Sequence, residues 1–381
     1  MSKKKILIFI DWYLPGFKAG GPIQSVANLV AHLRDEFEFL IVTSDTDYCE
    51  EKPYPNVKSD EWNTLSDGTK VFYFSKDNLS HKSIRTLIRQ TEFDIVYLNG
   101  IFSVYFTLVP LFFLRKKRDK RVVIAARGML AESALGVKKT KKQFFLTAVK
   151  MLKLFDEVIF HVSTENEKHD VRKALGETIS IKTAGNLSHK ATLEIKSVRN
   201  KTAGELKLVN VARIAPEKNL LYALNILQKV KQNVVFDFYG PVYNNDYWEE
   251  CKLAMTKLPP NVKVNYKGSL ATEKVLSELT NYDFMFMPTR GENFGHIILQ
   301  SLSVGCPVII SDQTPWKQLN QKNVGWDIAL DEEKSFAEAI DTCSKMGHAE
   351  YSKMAQDAFD YAKKYINNPE IVEQNRHLFI V

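Results

Sequence analysis

The chain has 381 residues, 45% hydrophobic and 25% charged, which excludes a disordered protein and exceeds what one core ordinarily serves, so two domains are expected. Its net charge of +7 is local: between Arg115 and Lys153 thirteen lysines and arginines stand against two acids, Asp119 and Glu132, so the rest of the chain is net negative by four. Such a region points either to an anionic partner or to a solvated helical surface. Four cysteines, at 49, 251, 306 and 343, have no metal-type spacing and fit reduced thiols in a cytosolic protein, not a disulfide framework.

In chain order, the first apolar run, KILIFI, ends at Asp11 without a small-residue cleavage site, so it predicts a strand, not a signal peptide. EFLIVT, VFYF, DIVYLN, RVVIAA and EVIFHVS predict further strands. About twenty residues from Ile95 are mostly apolar and end in a basic cluster, as a membrane-spanning helix would. Asn99-Gly100 and Pro110 interrupt that run, so it reads as a buried strand followed by a packed helix. The polar stretch from Gly185 to Gly204 predicts a boundary. Beyond it, LKLVNVA, VVFDFYG, VKVNYKG, DFMFMP and PVIIS predict strands that alternate with helical segments such as EKNLLYALNILQKV. Strand–helix alternation predicts parallel sheets covered on both faces, an α/β fold of two doubly wound domains. The expected limits are 1–188 and 205–365, with the tail 366–381 packing back on the first domain.

Three stretches carry chemistry. Gly16, Gly20 and Gly21 follow the first strand, and an amphipathic helix begins at Pro22; glycines admit a ligand close to the backbone, and a helix N-terminus favours an anion. The order is not GxGxxG and no Walker lysine follows, which excludes a dinucleotide fingerprint and a P-loop. Arg213 and Lys218 flank the start of a helix just after a strand, placed to hold a diphosphate or, more blandly, to pair with Glu217. In TRGENFGHIILQSLSVGCPVIIS a helix is expected near Phe294, bracketed by Gly291 and Gly295. Glu292 lies just before it and Gln300 about two turns inside, roughly 12 Å apart at 1.5 Å per residue. The pair suits two ends of one polar ligand, or a capping carboxylate and a surface amide.

Taken together, VARIAPEKN, GENFGHIILQSLSVGCPVIIS and, more loosely, KAGGPIQSVANL and ARGMLAESAL resemble the retaining glycosyltransferases of family 4 over nearly the whole chain. The resemblance implies the GT-B fold: two Rossmann-like domains facing each other across a cleft. It implies a nucleotide-sugar donor held mainly by the C-terminal domain. Arg213 and Lys218 would hold the diphosphate and Glu292 the transferred sugar, these three forming the catalytic group. Amides of Asn293, Phe294 and Gly295 would line the sugar-phosphate, Gln300 would take the ribose, and Ser269 and Leu270 the base. Gly20 and Gly21 would close over the phosphates, with Asn99, Arg127 and Gly128 on the acceptor side. Gln300 departs from the family's glutamate, and Arg127 and Asn99 stand where histidine is common.

The implied activity is retaining transfer to a glycan or lipid-linked saccharide in cell-surface polysaccharide synthesis. The charged groups are protein cations, so no metal and no other cofactor is expected, and nucleic acid is not an expected partner. The setting is cytoplasmic, and the basic region allows peripheral attachment to an anionic membrane face. The alternatives are a nucleotide-sugar-binding protein without turnover and a sugar-nucleotide epimerase.

Overall fold

The structure is a computed structural model that describes residues 3–115, 120–131, 134–135, 139–190 and 199–380. Part of the basic region, including Lys116, Lys117, Arg118 and Lys138, and part of the polar boundary stretch lie outside the described residues. Contacts divide the chain into two compact units, Met1–Lys190 with Pro369–Val381, and Ala191–Asn368.

The N-terminal unit is built on β1 (Lys4–Phe9), β2 (Phe37–Ser44), β3 (Trp62–Thr64), β4 (Lys70–Phe74), β5 (Ile95–Asn99), β6 (Arg121–Ala125), β7 (Ile159–Val162) and β8 (Ser180–Thr183). They form one sheet in the order β3-β4-β2-β1-β5-β6-β7-β8, parallel except for β3 on β4. β1 and β5, the central strands, are buried over most of their length, which is why KILIF and IVYLN are apolar without alternation. The apolar stretch after Ile95 continues as a π-helical turn, Val104–Leu108, and a short helix, Val109–Leu114, with Pro110 in its first turn, where a missing N–H is harmless. No helix of the described residues is long and apolar enough to cross a membrane.

The tail closes on this unit. The helix Pro369–Arg376 places Phe379 against Phe37, Phe39 and Tyr97 at ring distances of 5.5, 6.2 and 5.9 Å. Arg376 forks onto Glu36 through Nε and Nη2 at 2.6 and 2.7 Å.

The C-terminal unit contains β9 (Glu205–Val211), β10 (Asn233–Tyr239), β11 (Val262–Tyr266), β12 (Phe284–Met287), β13 (Val308–Ser311) and β14 (Gly325–Ile328), all parallel, in the order β11-β10-β9-β12-β13-β14. Strand β12 shows how the sheet is covered. Its sequence is Phe-Met-Phe-Met; Phe284 and Phe286 enter one core with Leu208 and Ile340, and Met285 and Met287 enter the other with Leu299 and Leu302. Alternate side chains leave opposite faces of a strand, so a wholly apolar run serves two cores. The four cysteines are free thiols; Cys49 is exposed and the other three are buried.

Candidate active site

In an open parallel sheet a ligand binds beyond the carboxyl ends of the strands, where the strand order reverses. In the C-terminal unit the chain runs outward from β9 to β10 and β11, then returns to place β12 on the other side of β9. Arg213 and Lys218 follow β9, and Glu292 to Gln300 follow β12, so the reversal brings both sets to one place.

The local sequence explains the convergence. Gly240, after β10, has φ +152°, and a Cβ there would lie 1.8 Å from the Ala212 carbonyl oxygen; only glycine lets this backbone approach the Arg213 loop. The Ile214 amide donates to the Pro241 carbonyl at 3.0 Å, fixing that loop further. Pro216–Lys218 forms a 3-10 turn, and Asn219, left-handed at φ 61°, opens the helix Leu220–Leu227. Asn219 also ties this turn to the loop after β12: its Nδ2 donates to the Pro288 carbonyl at 2.9 Å, and its Oδ1 accepts from Arg290 Nε at 3.1 Å. The Arg290 amide and the Thr289 hydroxyl both donate to the Glu217 carbonyl, at 2.9 and 3.1 Å.

Lys218 and Glu292 are brought into a direct ion pair across 74 residues, their side chains only 19% and 13% exposed. Arg213 instead pairs with Glu217, Nη2 to Oε1 at 3.2 Å, on a more open surface. The bland partner in the sequence thus belongs to the arginine, and the lysine takes the sugar-side carboxylate. Exposed i,i+4 pairs contribute roughly 0.3–0.5 kcal/mol, so the Glu217 contact by itself holds Arg213 weakly.

The helix after Glu292 is His296–Ser303, starting two residues later than the sequence predicts. Gly295 takes φ 77° and serves as N-cap, and Phe294 is spent on packing, 5.4 Å from Trp316 and 5.6 Å from Tyr365, while its carbonyl accepts from Trp316 Nε1 at 2.6 Å. Gln300 therefore lies about one turn inside the helix, not two. Its side chain is half-buried, and its amide has no hydrogen-bond partner among the described residues. Ser269 and Leu270 follow β11; Ser269 is exposed, and Leu270 packs against the core that holds Phe294 and Ile298. Among the described residues no three His, Cys, Asp or Glu side chains gather as a metal would require.

In the N-terminal unit the strand order reverses between β1 and β5. Gly20, at φ 71°, caps the helix Gly21–Leu33. Asn99 ends β5, and Arg127 lies just beyond β6 in a left-handed conformation (φ 53°), followed by Gly128 (φ 68°). Asn99 and Arg127 are brought together: Arg127 Nε donates to Asn99 Oδ1 at 2.8 Å, Nη1 to Asn186 Oδ1 at 2.8 Å and Nη2 to the Tyr97 hydroxyl at 2.9 Å. The guanidinium is committed to internal acceptors. The Gly128 amide is engaged too, donating to Glu167 Oε1 at 2.5 Å.

The network continues to His161. Its Nε2 lies 2.9 Å from the Ala184 carbonyl, which can only accept, so Nε2 carries the proton and Nδ1 accepts from the Tyr97 hydroxyl at 2.8 Å. Burial, aided by the Arg127 charge, pushes His161 down to about 3. An unfolded histidine titrates near 6.5, so in the window between about 3 and 6.5 the unfolded chain binds the extra proton. Stability is therefore full above that window and falls with decreasing pH by up to about 1.4 kcal/mol per unit. Denaturant midpoints measured from pH 7 to 5 should show the fall, and His161→Gln should flatten it.

One group at this reversal has no spacing signal in the sequence. Asp11, just after β1, accepts from Ser103 Oγ at 2.7 Å, and Ser103 follows β5. Burial raises the Asp11 carboxyl above the usual range, with the Ser103 bond acting the other way. A single acid in a loop says nothing until the strand order places it.

These features define a GT-B fold. The chain superposes on Anabaena HepE, solved with UDP and glucose, at a TM-score of 0.73 with 15% identity and 99% of each chain covered. Similar values hold for a sucrose-phosphate synthase from Thermosynechococcus elongatus, with TM-score 0.73, 12% identity, and coverage of 99% of this chain and 98% of that one. The E. coli trehalose-6-phosphate protein bound with UDP-2-fluoro glucose gives 0.67 and 11%, covering 99% and 98%. No curated protein sequence matches the chain. Residues 192–365, within the C-terminal unit, match the family described as Glycosyl transferases group 1.

Proposed function

We propose that the protein transfers a sugar, with retention of anomeric configuration, from a nucleotide-sugar donor to a saccharide or lipid-linked saccharide in surface polysaccharide synthesis, as family 4 enzymes do. The observation that carries this reading is the Lys218–Glu292 pair at the sheet reversal, with Arg213 on the same loop. Cleaving the bond from the anomeric carbon to the diphosphate places negative charge on the leaving group. Lys218, Arg213 and backbone amides near the start of the helix His296–Ser303 offset that charge without reorganising. A diphosphate that engages Lys218 releases Glu292 to accept hydrogen bonds from the sugar hydroxyls. Asn293 to Gly295 line the sugar-phosphate, and Ser269 and Leu270 lie by the base. The uridine nucleotides held by HepE and the E. coli protein support a uridine donor. Asp11 and Ser103 of the N-terminal unit suit an acceptor hydroxyl, a carboxylate being a strong acceptor for an O–H.

The test is release of nucleoside diphosphate from uridine, guanosine, adenosine and thymidine diphosphate sugars by the pure protein, with NMR of the first anomer formed. Release from one of them with the donor's anomeric configuration retained supports the reading. Isomerised donor with no release is the epimerase outcome, and binding without release is the outcome for a protein that has no turnover.

Turnover should persist in EDTA, because lysine and arginine carry the charge; loss that magnesium or manganese restores contradicts this. Gln300 is assigned to the ribose. Hydrogen bonds to charged groups contribute about 1.5–3 kcal/mol and neutral ones about 0.5–1.5. Gln300→Glu should therefore bind nucleoside diphosphate at least as well as the natural protein, and Gln300→Ala worse than both. Equal affinity of all three by calorimetry removes position 300 from the ribose.

A further inference from the structure

We propose that Trp12, backed by Tyr48, is a stacking platform for a neutral sugar ring, one of whose hydroxyls is held by Asp11 and Ser103. This rests on the transferase reading and gives the acceptor end a chemical class. The position differs from the one that the sequence resemblance implies. Arg127 spends its guanidinium on Asn99, Asn186 and Tyr97, and the Gly128 amide goes to Glu167, so these groups satisfy one another. The Asp11 carbonyl, just past β1, accepts from the Thr43 hydroxyl at 3.1 Å and the Ser44 amide at 3.2 Å, which ties the end of β1 to the end of β2. Trp12 then meets Tyr48, beyond β2, edge to face at a ring distance of 4.9 Å and 86°. Both side chains are half-buried. Ser103, beyond β5, donates to Asp11 from the strand on the other flank of β1. The group crosses the ends of three neighbouring strands, β2, β1 and β5, a width of roughly 10 Å at about 4.8 Å per strand.

Two features separate this pair from ordinary loop packing. The indole N–H of Trp12 has no hydrogen-bond acceptor among the described residues, so it is open to a ligand hydroxyl. The loop that carries it is also held in place. Amides of Phe17 and Lys18 donate to the Asp47 carboxylate at 2.9 and 3.2 Å, and the Tyr73 hydroxyl donates to the Leu14 carbonyl at 2.6 Å. At Gly16 a Cβ would lie 2.2 Å from the Tyr54 hydroxyl, so the backbone sits directly on that ring. A platform ordered before the ligand arrives spares the cost of ordering it. The ligand's chemistry follows. The C–H face of a sugar ring is apolar, with hydrogens of partial positive charge, and suits the negative face of an indole. The hydroxyl rim suits the indole N–H, the serine and the carboxylate. Between Asp11 and Gly20, Asp11 is the only acid and Lys18 the only cation, and Lys18 is paired with Glu50. A ring bearing its own carboxylate or phosphate would meet Asp11 with no opposing charge to spare on that loop, so the loop selects against it.

The test is equilibrium binding by the full chain and needs no turnover. The chain has five tryptophans, and in the NMR spectrum of isotope-labelled protein the Trp12 indole signal is the one lost in Trp12→Phe. The methyl glycosides of glucose, galactose and mannose are titrated, with methyl glucuronide as the anionic contrast. A saturable shift of the Trp12 signal with at least one neutral glycoside, and none with the glucuronide at equal concentration, is expected. Trp12→Ala and Asp11→Asn should each raise the dissociation constant of that glycoside by about tenfold or more, read from saturation transfer to its ring protons. The Trp12 signal of the natural protein keeps the test decisive even if a variant folds poorly. The proposal is overturned if no neutral glycoside shifts that signal, if the glucuronide shifts it equally, or if either folded variant keeps the natural affinity. Failure of the transferase reading is seen elsewhere, as no nucleoside diphosphate released from any donor, whatever the Trp12 signal does.

Discussion

Lys218→Ala should lower sugar transfer or donor hydrolysis by a hundred- to a thousandfold, the loss that follows removal of one preorganised charge-stabilising donor, about 2.7–4 kcal/mol. Arg213→Ala should fall in the same range, but the two variants should differ in stability. Lys218 is mostly buried against Glu292, so its removal strands a carboxylate that water scarcely reaches. Unsatisfied buried polar groups cost about 1–3 kcal/mol, and more when charged, so Lys218→Ala should unfold at lower denaturant than the natural protein. Arg213 pairs with Glu217 at a more open position, so its variant should lose less stability than Lys218→Ala. Lys218→Ala combined with Glu292→Gln should recover the stability and none of the turnover. Turnover near that of the natural protein in either single variant contradicts the diphosphate assignment.

Arg127→Ala should destabilise the N-terminal unit by about 2–4 kcal/mol, read as a denaturant midpoint, because it removes the donor shared by Asn99, Asn186 and Tyr97. Tyr97 keeps His161, and Asn186 keeps the Ser25 hydroxyl at 3.2 Å, which sets the upper bound; Asn99 Oδ1 loses its guanidinium partner outright. Arg127→Lys should recover little, since one ammonium cannot reproduce the planar fork that reaches three acceptors. Unchanged stability with transfer abolished would show instead that the guanidinium acts on the acceptor.

The fold class was legible wherever strands are buried on both faces. β1, β5, β12 and β13 are continuous apolar runs because each serves two cores, and the tertiary demand is written in the local sequence. β3, β8 and β14 carry the sequences WNT, SIKT and GWDI and lie at or next to sheet edges; their pairing depends on neighbours distant in sequence. The site was legible as stretches and not as contacts. Arg213, Lys218 and Glu292 stand out by residue type next to glycines and strand ends. That Lys218 meets Glu292 while Arg213 keeps Glu217 follows from the strand reversal and from the ties through Asn219, Thr289 and Arg290, which no local pattern encodes. The helix start slipped by two residues because Gly295 and Phe294 are read alike as helix openers, yet one caps and the other packs. Asp11 and the self-satisfied Arg127 network became visible only once the topology set β1, β5, β6 and β7 side by side.

The account turns on a diphosphate held by Lys218 at the reversal of the C-terminal sheet. Calorimetric titration of uridine diphosphate and of uridine into the natural protein and Lys218→Ala tests it most directly. The diphosphate should bind the natural protein at least tenfold more tightly than the nucleoside, about 1.4 kcal/mol or more, and the advantage should largely vanish in Lys218→Ala. Equal binding of nucleoside and diphosphate, or an advantage that survives the substitution, would contradict it.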